Sequence, residues 1–192
     1  MLEEEYETRR RLPPHLRPVI EPEPAFSYHV RDAVRYDLPA IREIYNHYVR
    51  NSSITFDSSA WSLPELRQKF DRMAQRGLPF LVAVSPNGDL LGFAYVYPWK
   101  SKAAYRFSVE NHIYLGPAST GKGLGTVLLS QLIERCRAAR MREMIAVIAD
   151  RGAEASIALH ENLGFTIVAQ MGRVGYKYER WLGTVMMRKS LR

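Results

Sequence analysis

Along the chain the hydrophobic positions change period several times, and each change marks an element. Phe26, Tyr28 and Val30 alternate with polar residues, the period-two sign of a strand. From Leu38 the spacing becomes helical. Leu38, Ile41, Ile44, Tyr45 and Tyr48 share a face, Asp37 is placed to cap the start, and the helix is expected to run to about Arg50. Ser62-Leu63-Pro64-Glu65 has the form of a capping box and opens a second helix, which Gly77 ends. PFLVAVS, the turn PNGD and LLGFAYVYP read as a hairpin. RFSVENHIYL (106–115) is a further strand, followed by a glycine-rich stretch over 116–125. A helix then continues to about Arg140, with Leu124, Val127, Leu128, Leu132, Ile133 and Cys136 on its apolar face. MIAVIA (144–149) is a short buried strand, residues 153–163 form a helix that stops at Gly164, and FTIVAQM and GTVMMRK are two closing strands. The order β-α-α-β-β-β-α-β-α-β-β is that of a mixed α/β chain. Its first part is antiparallel and a β-α-β crossover lies near its middle.

Composition adds bounds. The 192 residues suit one domain with a sizeable core. No apolar run approaches a membrane span, and the acidic-then-basic start has no secretory character. The single cysteine, Cys136, forms no intrachain disulfide, and the expected location is cytoplasmic. Residues 1–25 hold five of the eleven prolines and no apolar period. They read as a flexible tail ahead of a domain spanning 26–192. In that tail six glutamates face four arginines, a net charge of −2, so the overall +7 leaves +9 on the rest. A basic domain points to an anionic partner, either nucleic acid or a phosphate-rich small molecule.

The stretch GPASTGKG comes within one residue of a Walker A loop. The Ser or Thr that would hold Mg²⁺ is Gly123, and only 69 residues follow it, too few for the remaining strands of a P-loop domain. Gly121, Gly123 and Gly125 alternate where a strand becomes a helix. Such a turn brings backbone N–H groups and the positive helix end up to an anion such as a pyrophosphate; the alternative is a tight turn with no ligand. In RFSVENHIYL, Ser108, Glu110, His112 and Tyr114 share one strand face. Glu110, a carboxylate in mid-strand among apolar neighbours, is either a solvent-face residue or a general base whose pKa burial raises. One cysteine and scattered histidines give no metal site.

With TGKGLG and this element order, the chain resembles the GNAT superfamily of N-acetyltransferases. The segments NHYVRNSSITF, YPWKSKAAYRFSVENHIYL, GLGTVLL, SIALHENLGF and GYKYERWL resemble its phosphinothricin and methionine-sulfoximine acetyltransferase branch. The resemblance implies a mixed, largely antiparallel seven-stranded sheet flanked by about four helices. It implies acetyl-CoA as co-substrate, a small amino-acid-like amine as acceptor, direct transfer, no nucleic-acid or membrane partner, and a homodimer. It makes Glu110 the base and His160, where many GNAT enzymes carry Tyr, the acid for the departing thiolate. It assigns the cofactor to Thr120, Gly121, Lys122, Gly123, Leu124, Gly125 and Ser156, and to the backbone of Ile113, Tyr114 and Leu115, which would pair with pantetheine like another strand. For the acceptor, Arg106 is the expected carboxylate fork, on the Glu110 face by alternation, with Lys102, Ser108, Val109 and Phe56 around it. Four positions differ from the branch: Thr120 stands for Gln or Arg, Lys102 for Arg, Ala153 for Asn and Gly183 for Asp. Two other functions compete, acetylation of a protein amine and non-catalytic polyanion binding. The arginines at 135, 137, 140 and 142 lack the interleaved aromatics of a nucleic-acid stacking surface.

Overall fold

The computed structural model describes residues 26–192; the tail read over 1–25 lies outside them. A single seven-stranded sheet has the order β1-β2-β3-β4-β5-β7-β6. The strands are β1 (His29–Asp32), β2 (Phe80–Val84), β3 (Leu90–Pro98), β4 (Ser108–Leu115), β5 (Glu143–Ala149), β6 (Thr166–Lys177) and β7 (Arg180–Ser190). All neighbours pair antiparallel except β4 and β5. The helices are α1 (Leu38–Asn51), α2 (Leu63–Gln75), α3 (Leu124–Ala138) and α4 (Glu154–Asn162). The expected fold class is the observed one.

Strand parity decides which helix covers which face. On one face Phe80, Phe93, Tyr95 and Tyr114 pack ring against ring and meet Tyr45 of α1 and Phe70 of α2. On the other, Ile113 and Leu115 lie under Gly125 of α3 beside Leu159 of α4. α1 and α2 therefore cover the face that carries Glu110, and α3 and α4 the face that carries Asn111. One continuous buried core joins both layers, with Leu38, Ile41, Leu81, Phe93, Leu128, Leu132 and Met144 fully enclosed.

Local signals resolve unevenly. The Ser62 box forms as expected: Ser62 Oγ accepts from the Glu65 N–H at 3.3 Å, and Glu65 accepts from the Ser62 N–H at 2.8 Å. Asp37 stands at the start of α1 but does not cap it. A 3-10 turn over Arg35–Asp37 precedes the helix, and the Asp37 carboxylate accepts instead from the Val34 N–H at 2.8 Å and from the Arg31 guanidinium at 2.7 and 2.8 Å. Burial, the largest single influence, acts to raise its pKa, but the Arg31 and Val34 hydrogen bonds and the Arg31 charge together leave it lowered. The two closing strands are longer than the expected 165–171 and 183–189. They meet in a two-residue turn at Tyr178 and Glu179, with φ of 52° and 58°.

One break in the sheet positions the site. β4 pairs with β3 along its whole length, from Val109 opposite Pro98 to Leu115 opposite Gly92. With β5 it pairs only at Ser108, Val109 and Glu110. Beyond Glu110 the two parallel strands part, and the β5-side edge of β4 is open from Asn111 to Leu115.

Candidate active site

Glu110 lies at the vertex of this split. On its own face of the sheet it lines a cavity of about 240 Å³ with Tyr45, Phe56, Asp57, Lys69, Tyr95 and His112 among the walls. The Glu110 pKa is raised, burial being the largest cause, while the positive charges of Lys69 and Lys100 pull it back down. The His112 ring stacks on Tyr95 with centroids 4.6 Å apart, and its Nε2 is 3.8 Å from Glu110 Oε1. Burial and the positive charge of Lys69 depress the His112 pKa to about 3, so the imidazole is neutral beside the carboxylate.

The outer wall is the segment after α1, held by long-range anchors. Lys177 of β6 donates to the carbonyls of Ser52 at 2.9 Å and Thr55 at 2.8 Å, and Tyr178 donates to the Val49 carbonyl at 2.7 Å. Asn46 clamps the far end, accepting from the Trp61 N–H at 2.8 Å and donating to its carbonyl at 3.0 Å. Phe56 lies across Gly175, where an added Cβ would fall 2.6 Å from its ring, so a larger residue there would displace the Phe56 side chain. Asp57 accepts from the Tyr45 hydroxyl and, at 3.2 Å, from Trp61 Nε1.

A second, narrower cleft opens where β4 and β5 part, lined by Asn111, Ile113, Tyr114, Val147, Ser156 and His160. It shares Ile54, His112, Tyr114, Val147 and Ile148 with the first cavity, so the two are contiguous. His160 is 1% exposed. Its Nδ1 is 2.7 Å from the Ser156 carbonyl, which only accepts, so Nδ1 carries the proton. Its Nε2, 2.9 Å from Asn111 Nδ2, is then the acceptor. Burial lowers the His160 pKa, with the Ser156 bond opposing, and the ring is neutral. His160 thus has no free N–H to offer a thiolate. In this arrangement, where the expected role was proton donor, both ring nitrogens are engaged and His160 positions Asn111. Asn111 Oδ1, buried at the cleft, has no partner among the described residues.

At the mouth of the cleft the glycine turn has the anticipated form. Gly121 and Gly123 have φ of 72° and 76°, a region open chiefly to glycine, and Gly123 stands just before the first residue of α3, Leu124. The N–H groups at a helix start have no carbonyl within the helix to bond. Thr120 Oγ1 donates to the Pro117 carbonyl at 3.0 Å, closing the 3-10 turn that leads in. The Lys122 ammonium rests over the Phe26 ring at 4.7 Å.

Four residues expected on the acceptor side lie away from the cavity. The strand begins at Ser108, so alternation does not extend to Arg106, which ends a 3-10 turn over Ala103–Tyr105. Arg106 is exposed, donating to the Ala103 carbonyl at 3.3 Å with its guanidinium over Phe107. Lys102 is exposed ahead of the same turn. Val109 faces the core at 1% exposure, and Ser108 is a half-buried strand start opposite Glu143. None of the four lines the cavity. The cation that does is Lys69, which sits between Leu66 and Met73 on the inner face of α2. A lysine at i+3 from one apolar residue and i−4 from the next is the signal by which the sequence could have revealed it. Thr184, whose buried hydroxyl has no partner among the described residues, is a further wall residue without a sequence signal.

Residues 39–165 match the acetyltransferase (GNAT) family. The chain is 39% identical over 155 residues to a phosphinothricin N-acetyltransferase of Alcaligenes faecalis, covering 81% of this chain and 78% of that one. It is 41% identical over 162 residues to an L-methionine sulfoximine/L-methionine sulfone acetyltransferase of Pseudomonas paraeruginosa, covering 84% and 94%. Among solved structures, a GNAT phosphinothricin acetyltransferase from Sinorhizobium meliloti in complex with acetyl-CoA superposes with a TM-score of 0.81 at 42% identity, covering 85% and 88% of the two chains.

Proposed function

The chain belongs to the acetyltransferase (GNAT) family, and from that premise we propose that it moves an acetyl group from acetyl-CoA to the amine of a small amino-acid-like acceptor. The acceptor is of the phosphinothricin, methionine sulfoximine or methionine sulfone type, as in the relatives' names. The observation that carries the reading is the position of Glu110. It stands where the open edge of β4 begins and lines the cavity on the α1 and α2 face of the sheet.

The residues of the cleft fit acetyl-CoA. The turn at Gly121 and Gly123 and the start of α3 form an anion cradle suited to its pyrophosphate. The unpaired edge of β4 offers backbone groups to an extended amide chain, and the orphaned Asn111 Oδ1 offers an acceptor to an amide N–H. Bound there, acetyl-CoA supplies an acetyl thioester. Glu110 takes the proton from the acceptor's ammonium, directly or through one water, and the freed amine can then attack. Its raised pKa makes it a better proton acceptor than an ordinary carboxylate. The N–H groups on the open edge of β4 polarise the acyl carbonyl as the C–N bond forms and the C–S bond breaks; the proton shed by the acylated nitrogen goes to the departing CoA thiolate, with no covalent enzyme intermediate. His160 holds Asn111 in place. The same proposal carries a cytoplasmic location and a homodimer, the latter open to sedimentation velocity.

Thiol release from acetyl-CoA tests it, with methionine sulfone, methionine sulfoximine, phosphinothricin and a lysine-rich peptide offered in parallel. Turnover of an amino-acid analogue that collapses in Glu110→Gln supports the reading. Turnover of the peptide alone overturns the acceptor assignment.

A further inference from the structure

Lys69 is a half-buried cation that the reaction as described does not use. It lines the acceptor cavity with Glu110. Three rings hem its ammonium in: Trp61 with its centroid at 4.5 Å, Tyr95 at 4.8 Å and Tyr97 at 5.4 Å. One N–H goes to Tyr95 Oη at 2.9 Å. Among the described residues no carboxylate comes within 4.0 Å of it: Lys69 forms none of the ion pairs, while Asp57 is occupied by Tyr45 and Trp61. The rings compensate part of the lost hydration by cation–π attraction. They accept no hydrogen bond in the ring plane, and among the described residues the remaining N–H groups have no acceptor. An ammonium left so exposed to desolvation is unfavourable unless a partner arrives; burial already depresses its pKa to about 8.

We propose that Lys69 is the anchor for the acceptor's α-carboxylate. In an α-amino acid the amine and the carboxylate hang from one carbon, so the cation that holds the carboxylate must stand close to the base that receives the proton. Lys69 and Glu110 share one cavity and lie close enough for the charge of each to shift the other's pKa, which meets that requirement. The three rings crowd the ammonium on one side, and Lys69 is the one cation among the cavity's lining residues. An acceptor lacking the carboxylate would leave that cation unmatched, and a site built to bond a charged group discriminates strongly against ligands that lack it.

The inference rests on the amino-acid reading above, and its test separates the two. Initial rates are measured with the best amino acid of the panel and with its decarboxylated amine, for methionine sulfone 3-(methylsulfonyl)propan-1-amine, in wild type and Lys69→Met. The wild type is expected to favour the amino acid by about 100-fold or more in kcat/KM. Lys69→Met is expected to lower kcat/KM for the amino acid far more than for the amine, chiefly through the amino acid's KM, so that the preference collapses while the KM for acetyl-CoA changes little. Equal turnover of both acceptors by the wild type overturns the anchor while the amino-acid reading stands, and this result needs no variant to fold. An equal fall for both acceptors in Lys69→Met also overturns it, assigning Lys69 to the tuning of Glu110. Turnover of a peptide amine alone overturns both.

Discussion

The cleft between β4 and β5 and the cavity under α1 and α2 meet at Glu110 but are built differently. The cleft is made largely of main chain: a strand edge left open and a turn with positive φ at Gly121 and Gly123. Its walls are residues 111–114 of β4, residues 146–148 of β5, Ser156 and His160 of α4, and Ile54 from the segment after α1, while the glycine turn follows β4 directly in the chain. The cavity is made of side chains brought from α1, the segment after it, α2, β3, β4, β5 and β7. Main-chain recognition constrains a short contiguous stretch and suits a cofactor shared by a whole family. Side-chain recognition is assembled from distant positions and can be altered one residue at a time, as acceptor choice demands.

That contrast can be broken most strongly at the vertex. Glu110→Gln keeps size and packing but cannot take the proton. It is expected to lower kcat/KM by about 10³-fold while leaving acetyl-CoA binding intact, as a calorimetric titration would show. Lys177→Met strikes the cavity wall from a distance. It removes two hydrogen bonds from a buried ammonium to the carbonyls of Ser52 and Thr55, at a cost of about 2–4 kcal/mol. Thermal melting should fall by several degrees and the acceptor KM rise at least about tenfold, with the acetyl-CoA KM nearly unchanged. Gly123→Ala is the counterpart in the cleft. No atom lies within 4 Å of the added Cβ, so the penalty is the φ of 76° alone. About 1–2 kcal/mol of backbone strain should raise the acetyl-CoA KM roughly tenfold and spare the acceptor. Lys102→Ala, at an exposed position outside both cavities, should change kcat/KM less than about twofold.

The same difference governs what the sequence discloses. The glycine turn, the parity of β4 and the Ser62 capping box are local patterns, and each was legible. Arg106 misleads because alternation was carried two residues beyond the point where β4 begins. The long β6–β7 hairpin is hidden because its turn falls on Tyr178 and Glu179, neither of them a residue that favours positive φ. Asp37 reads as a helix cap because a partner six residues earlier, Arg31, competes for its carboxylate only once β1 is folded beside it. His160 reads as a free acid because nothing in the heptad around it reveals Asn111, 49 residues away in sequence, as the group at its Nε2. Lys69 left a trace in the helical period of α2; Asp57 and Thr184 left none, since only packing brings them to one wall.

The central claim is that Glu110 is the base. Its protonated form is inactive, so kcat/KM must fall as pH drops through its pKa. Burial raises that pKa above the ordinary carboxylate value against the opposing pull of Lys69 and Lys100, with His112 neutral beside it, Asp57 on the same cavity and the phenols of Tyr95 and Tyr114 un-ionised. The most direct measurement is the pH dependence of kcat/KM for methionine sulfone, in wild type and Glu110→Gln together. The account predicts an acid limb in the wild type displaced upward from the usual carboxylate range. In the variant that limb disappears along with most of the rate, leaving only the rise that belongs to the acceptor's own ammonium. A variant that keeps both the wild-type rate and its acid limb would contradict it.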